Sequence, residues 1–138
     1  RPANIYGEYD NFGEESTVIA SLVKKGCNDK LLSVWGDGTP IRDFIHAEDV
    51  ARGILMSYEN EITEPINLGS GDGVRIKDIA SIVATHYGKE IEYDTTKPNG
   101  DNKRLMDMTR ANSYGFHPQV DLETGIKRVI KYYESLQK

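Results

Sequence analysis

An α/β fold, in the form of a small mixed α+β unit, is predicted for this 138-residue chain by three observations. Apolar residues switch several times between helical and strand spacing, a pattern that neither an all-helical nor an all-strand chain produces. Glycine, proline and short polar residues sit at the switches, where turns are needed. The segments follow no fixed period, which excludes a solenoid or propeller.

Arg1 to Gly7 reads as a short strand leaving into a loop, because Pro2 cannot donate within a central ladder and Gly7 permits a turn. Glu8 to Gly13 is that polar loop. Ser16 is placed to cap a helix whose Val18, Ile19, Leu22 and Val23 share one face, with Lys24 and Lys25 in the last turn and Gly26 at its end. Leu31 to Trp35 and Arg42 to His46 read as two strands around the turn Gly36-Asp37-Gly38-Thr39-Pro40, which suggests a hairpin-like pair. Glu48 and Asp49 then sit where a helix start favours negative charge, ahead of a buried stripe expected at Val50, Ile54, Leu55 and Tyr58.

Pro65 to Leu68 is a further short strand running into Gly69-Ser70-Gly71-Asp72-Gly73. Ile76, Ile79, Ile82 and Val83 have helical spacing and Gly88 stops that helix, after which Ile91 to Tyr93 is a brief strand. From Asp94 to Arg104 the chain is polar and builds no core, so it is either a disordered or a binding loop. Thr109 to Tyr114 makes a short helix closed by Gly115. Asp121 caps a last helix with Leu122, Ile126, Val129, Ile130 and Tyr133 facing inward. No linker divides the chain, so residues 1–138 are expected to act as one unit.

Seventeen basic against 22 acidic side chains give a net charge of −5, which argues against a surface built to neutralise a polynucleotide. The single Cys27 forms no internal disulfide, so a reducing, cytoplasmic setting is expected. The apolar runs are too short to span a bilayer, and no leader pattern is visible.

Several residues carry two readings. Gly69 to Gly73 precedes a helix as a phosphate-cradling loop would, but it matches neither common phosphate motif and brings Asp72 with it, so a plain strand-to-helix turn is the simpler reading. His46, His86 and His117 lack metal-ligand spacing. The acid pairs Glu14-Glu15 and Glu48-Asp49 read as solvated helix-start charges. Arg42 follows a turn within an apolar strand, where it either snorkels or finds an anionic partner: Asp43, Asp49 or a ligand. Trp35 is either core or a stacking surface for a flat ring, and Lys97 and Arg104 add phosphate donors on the polar loop.

Taken in order, Arg1-Pro2-Ala3-Asn4-Ile5-Tyr6-Gly7, Asp10-Asn11-Phe12, the run from Trp35 to Asp49, Ile66-Asn67-Leu68-Gly69-Ser70-Gly71 and Lys97-Pro98-Asn99-Gly100-Asp101 resemble the C-terminal part of the extended short-chain dehydrogenase/reductases, the nucleotide-sugar epimerases and dehydratases. The Asp-Asn-Phe and Thr-Lys-Pro-Asn-Gly loops look most like the branch of that family that makes GDP-L-fucose by epimerising and reducing GDP-4-keto-6-deoxymannose.

The resemblance implies a Rossmann domain that binds NAD or NADP, absent from this chain, followed by a substrate domain matched by residues 1–138, with residues 1–12 joining the two. It places the dinucleotide fingerprint and the catalytic Ser/Thr, Tyr and Lys before Arg1, so no catalytic residue is expected here. Pro2, Ala3, Asn4 and Ile5 correspond to the segment touching the nicotinamide end of the cofactor, and Asn4 also to a substrate contact. Lys25, Trp35, Arg42, Lys97 and Asn99 correspond to substrate positions, Arg42 to the arginine that grips the diphosphate. Glu8-Tyr9 stands where the fucose-forming branch has Pro-His, and Thr17 where it has a cofactor-contacting histidine, which leaves UDP- and dTDP-sugars open. The expected partner is a nucleotide-diphosphate sugar, with a homodimeric parent enzyme. The alternatives are a free-standing nucleotide-sugar binding module and an inactive fragment.

Overall fold

The computed structural model describes residues 1–138, in the chain order β1 (Asn4–Tyr6), α1 (Val18–Asn28), β2 (Leu32–Trp35), β3 (Ile41–Arg42), β4 (Phe44–His46), α2 (Ala47–Glu59), β5 (Val74–Arg75), α3 (Ile76–Tyr87), β6 (Ile91–Asp94), β7 (Lys103–Arg104), α4 (Thr109–Ser113) and α5 (Leu122–Leu136). The mixed α/β class expected from the sequence is observed.

Three helices surround the larger core. Ile19 and Val23 of α1, Ile79 and Val83 of α3, and Ile126 and Ile130 of α5 pack with Leu32 and Val34 of β2. Each of these helices buries the face set by its 3.6-residue period. α1 continues past Gly26 to Asn28, two residues beyond the stop expected there. The reason is packing: a Cβ at Gly26 would lie 2.8 Å from both Tyr87 and Val83, so this glycine lets α1 and α3 approach closely. Thr17, not Ser16, holds the N-cap position, and its hydroxyl donates to Asp10 Oδ2 at 2.5 Å rather than capping the helix. Asp121 caps α5 as expected, accepting from Thr124 N–H at 2.9 Å.

The strands do not form the expected hairpin. β2 pairs in parallel with β6, β4 in parallel with β1, and β3 lies between β5 and β7. The turn after Trp35 therefore carries the chain from one small sheet to another. The strand expected at Pro65–Leu68 reduces to one parallel bridge, Leu68 with Pro2. A second, smaller core gathers Ile45, Val50, Ile66, Leu68, Met108, Ala111 and Phe116.

α2 departs most from expectation. Of its apolar stripe only Val50 is buried, whereas Ile54, Leu55 and Tyr58 are 62%, 55% and 82% exposed. What this helix buries instead is Asp49, at 0% exposure. Its carboxylate accepts from the backbone N–H groups of Gln119 at 2.8 Å and Val120 at 3.0 Å and pairs with Arg52. Asp49 is thus a buried anchor between α2 and the segment before α5, not a solvated charge. Glu48 does face outward, paired with Arg52 at 2.8 Å and Arg128 at 2.9 Å.

Candidate functional site

Arg42 and Phe44 lie two residues apart, so the period-2 geometry of a strand turns both side chains to one face and Asp43 to the other. On the Arg42 face is a cleft of about 550 Å³. α1 supplies Ser21 and Lys25 to its wall, β1 supplies Asn4, β2 ends in it at Trp35, and Pro98 and Asn99 reach it from the polar loop.

Each side chain is held by local bonds. Arg42 Nη1 donates to the carbonyls of Ile41 at 2.9 Å and Asp101 at 2.6 Å, which fixes the guanidinium to the loop; neither Asp43 nor Asp49 is its partner. Lys25 Nζ donates to Ser33 O at 3.1 Å, and Asn4 Nδ2 to Asp43 O at 2.8 Å. Trp35 is 62% exposed, so it is a surface of the cleft rather than core. The Lys97 ammonium stands 5.5 Å from its ring centroid, within cation–π range.

Asn99 does more than line the wall. Its Oδ1 accepts from Asp37 N–H at 2.9 Å, and a Cβ at Gly36, whose φ is +74°, would come within 1.9 Å of that oxygen. The turn and the loop thus interlock through a glycine. Asp37 accepts from the hydroxyl and N–H of Thr39, which lower its pKa below the usual carboxylate range.

Asp43, on the opposite face, is 1% exposed and fills the loop whose other sequence reading is a phosphate cradle. Its carboxylate accepts from Ser70 N–H and Oγ, both at 2.7 Å, from Gly71 N–H at 3.0 Å and from Met106 N–H at 3.2 Å. The donors of Ser70 and Gly71 are therefore used internally, as those of Gly69 and Asp72 are by Met108 Sδ and Ser70 Oγ, which supports the structural reading of that segment.

Of the sequence-derived positions, Asn4, Lys25, Trp35, Arg42 and Asn99 converge on the cleft, with Lys97 over Trp35. Pro2 and Ala3 lie instead on a neighbouring hollow of about 320 Å³ that shares Asn4 with the cleft, and Ile5 faces a third depression beside Glu8. Arg104 is spent on an exposed pair with Asp101 at 3.1 Å. Sequence reasoning missed Glu14 and Ser16 as cleft residues, reading them as a helix-start charge and a cap. It also missed the network that roots their loop. Glu8 bridges buried His46 at 3.0 Å and Arg128 at 2.6 Å, and burial, which raises the Glu8 pKa, is outweighed by its backbone hydrogen bond and Arg128, so the carboxyl sits below its ordinary range.

Residues 1–69 match the model of the NAD dependent epimerase/dehydratase family. This chain belongs to that family. Among its relatives, a probable GDP-L-fucose synthase 1 of Oryza sativa subsp. japonica is 35% identical over 142 residues, covering 96% of this chain and 43% of the relative. A GDP-L-fucose synthetase from Naegleria fowleri has the same fold at a TM-score of 0.88 and 26% identity, over 97% of this chain and 44% of that one. The UDP-glucuronic acid 4-epimerase of Bacillus cereus, solved with UDP-glucuronic acid and NAD, matches at a TM-score of 0.84 and 27% identity, over 99% and 44%. The epimerase-family chain described here thus spans less than half the length of these relatives and corresponds to a C-terminal part of an extended short-chain dehydrogenase/reductase.

Within this family member the spacing Tyr-x-x-x-Lys occurs once, at Tyr93 and Lys97. Those residues lie on β6 and the turn after it, not one turn apart on a helix face, so they do not form a helical acid–base pair.

Proposed function

We propose that residues 1–138 form the nucleotide-sugar-binding unit of an NAD(P)-dependent epimerase, dehydratase or reductase, joined through residues 1–12 to a dinucleotide-binding domain. The observation that carries this reading is the convergence of Arg42, Lys25, Trp35, Asn4 and Asn99, far apart in sequence, on one cleft. Arg42 is held by carbonyls at one nitrogen, which leaves its remaining N–H groups for a diphosphate. Trp35 offers a face for the base. A base stacked on the face that Lys97 covers, at roughly 3.5 Å, displaces the ammonium and releases it toward the phosphates.

The fucose synthase relatives favour a GDP-linked 4-keto-6-deoxyhexose, with epimerisation and reduction as the reaction. Pro2, Ala3 and Asn4 suit the edge of a cofactor site only, since their hollow of about 320 Å³ is lined by just seven residues and the Gly69–Gly73 turn is occupied by Asp43, while Ile5 lies on the separate depression beside Glu8. A bound nicotinamide would supply hydride transfer, while this chain holds and orients the sugar through the cleft. Asn4, common to the hollow and the cleft, is the residue placed to touch both ligands.

The test is titration of the chain with GDP-mannose, UDP-glucose and dTDP-glucose, followed by calorimetry and by the fluorescence of its one tryptophan, Trp35. Saturable binding with a change in Trp35 emission is expected for one of the three. Absence of binding by all of them overturns the reading for this chain and favours an inactive fragment.

A further inference from the structure

Glu14 lines the cleft, yet no hydrogen bond or ion pair ties its carboxylate to the rest of the chain. The cations of the same cleft are both anchored, Lys25 to Ser33 O and Arg42 to the carbonyls of Ile41 and Asp101. An unpaired anion in a diphosphate cleft repels the ligand unless it meets a group that donates to it. We propose that Glu14 is a specificity-determining residue that accepts from the hydroxyls of a neutral sugar and rejects a sugar bearing a carboxylate.

The proposal rests on the nucleotide-sugar reading and on the order of groups along the cleft. Trp35 ends β2, and Pro98 and Asn99 come from the polar loop whose Asn99 bonds the turn after β2. The β3–β4 run leads from that turn past Arg42 to Phe44, which is in register with Asn4 of β1. Asn4, Glu14 and Ser16 belong to β1 and the connection after it. With the base on Trp35 and the diphosphate on Arg42, the sugar falls to the side that holds Glu14.

An ionised carboxylate only accepts hydrogen bonds, so a sugar hydroxyl complements it and a second carboxylate meets it as a like charge. Glu14 is exposed, and at a separation of about 5 Å in a solvent-like dielectric the repulsion amounts to roughly three- to tenfold in affinity. The fold itself tolerates acidic sugars, since the Bacillus cereus relative holds UDP-glucuronic acid. Discrimination therefore has to come from particular side chains.

The experiment compares two ligand pairs that differ only in whether C6 is a hydroxymethyl or a carboxylate: UDP-glucose with UDP-glucuronic acid, and GDP-mannose with GDP-mannuronic acid. Binding is measured by calorimetry to the wild-type chain, to Glu14→Gln and to Glu15→Gln, the exposed neighbour outside the cleft. The expected result is a three- to tenfold preference for the neutral member, reduced to near unity by Glu14→Gln and unchanged by Glu15→Gln. If neutral sugars bind but Glu14→Gln leaves the ratio unchanged, the role of Glu14 is overturned and the binding reading stands. If no member of either pair binds the wild-type chain, the binding reading falls and the inference falls with it.

Discussion

Replacing Asp43 by alanine removes the acceptor shared by Ser70, Gly71 and Met106 and leaves their backbone N–H groups without a protein partner. The expected loss is about 3–5 kcal/mol of stability, measured by urea unfolding, with Asp43→Asn intermediate because it keeps one acceptor oxygen. Glu14 is the opposite case: it has no partner, so its replacement should alter ligand choice and leave the fold untouched. Asp43 and Asp49 were also the residues least legible in the sequence. Asp43 reads as a partner for Arg42 and Asp49 as a solvated helix-start charge, yet their partners are backbone N–H groups about 27 and 70 residues away. A pattern of side chains carries no record of such donors. Arg42, by contrast, was legible as a charge with a task, because an arginine directly after a turn in an otherwise apolar strand requires one.

At the level of elements, α1, α3 and α5 follow from sequence periodicity because each is long enough to show two or more turns of buried spacing. Asp121→Ala, which deletes the cap of α5, is expected to cost about 1 kcal/mol in thermal or urea unfolding. The bonds from Thr124 lower the pKa of Asp121, so its contribution is full above the unfolded carboxyl range and is lost as pH falls through the lower folded value. Asp121→Ala should therefore flatten the acid limb of the stability curve. The strands were harder to read, since β3, β5 and β7 have two residues each and their pairing is set by distant segments. α2 misled because Ile54, Leu55 and Tyr58 repeat at helical spacing on a face that the chain does not cover. Lysine at Ile54 or Leu55 should consequently shift the unfolding free energy by less than about 0.5 kcal/mol, a test that separates the exposed face from a buried one.

Affinity for a ligand belongs to the whole molecule, because the cleft exists only once β1, α1, β2, β3 and the polar loop are assembled around it. Arg42→Ala is expected to weaken nucleotide-sugar binding by about ten- to a hundredfold, the worth of a charge-assisted bond, as read by calorimetry. Arg42→Lys should fall between, keeping the charge and losing the fork. An unchanged dissociation constant for both would remove Arg42 from the site. No helix of the chain is long and apolar enough to cross a membrane.

The pairing pattern has a consequence for how such a chain comes together. Leu32 pairs with Ile91, Ile41 with Lys103, Asn4 with Phe44 and Pro2 with Leu68, and even the nearest pairing, Arg42 with Val74, spans about thirty residues. No ladder can form as a local hairpin, so loop-closure entropy is lost before any strand gains a partner. The helices that close the core, α1 against α3 and α5, are no nearer in sequence, and until they dock β2 and β6 present open edges to other chains. Slow collapse and a window for aggregation are therefore written into the order of the strands, and they would narrow whenever a neighbouring domain has already folded before this segment leaves the ribosome.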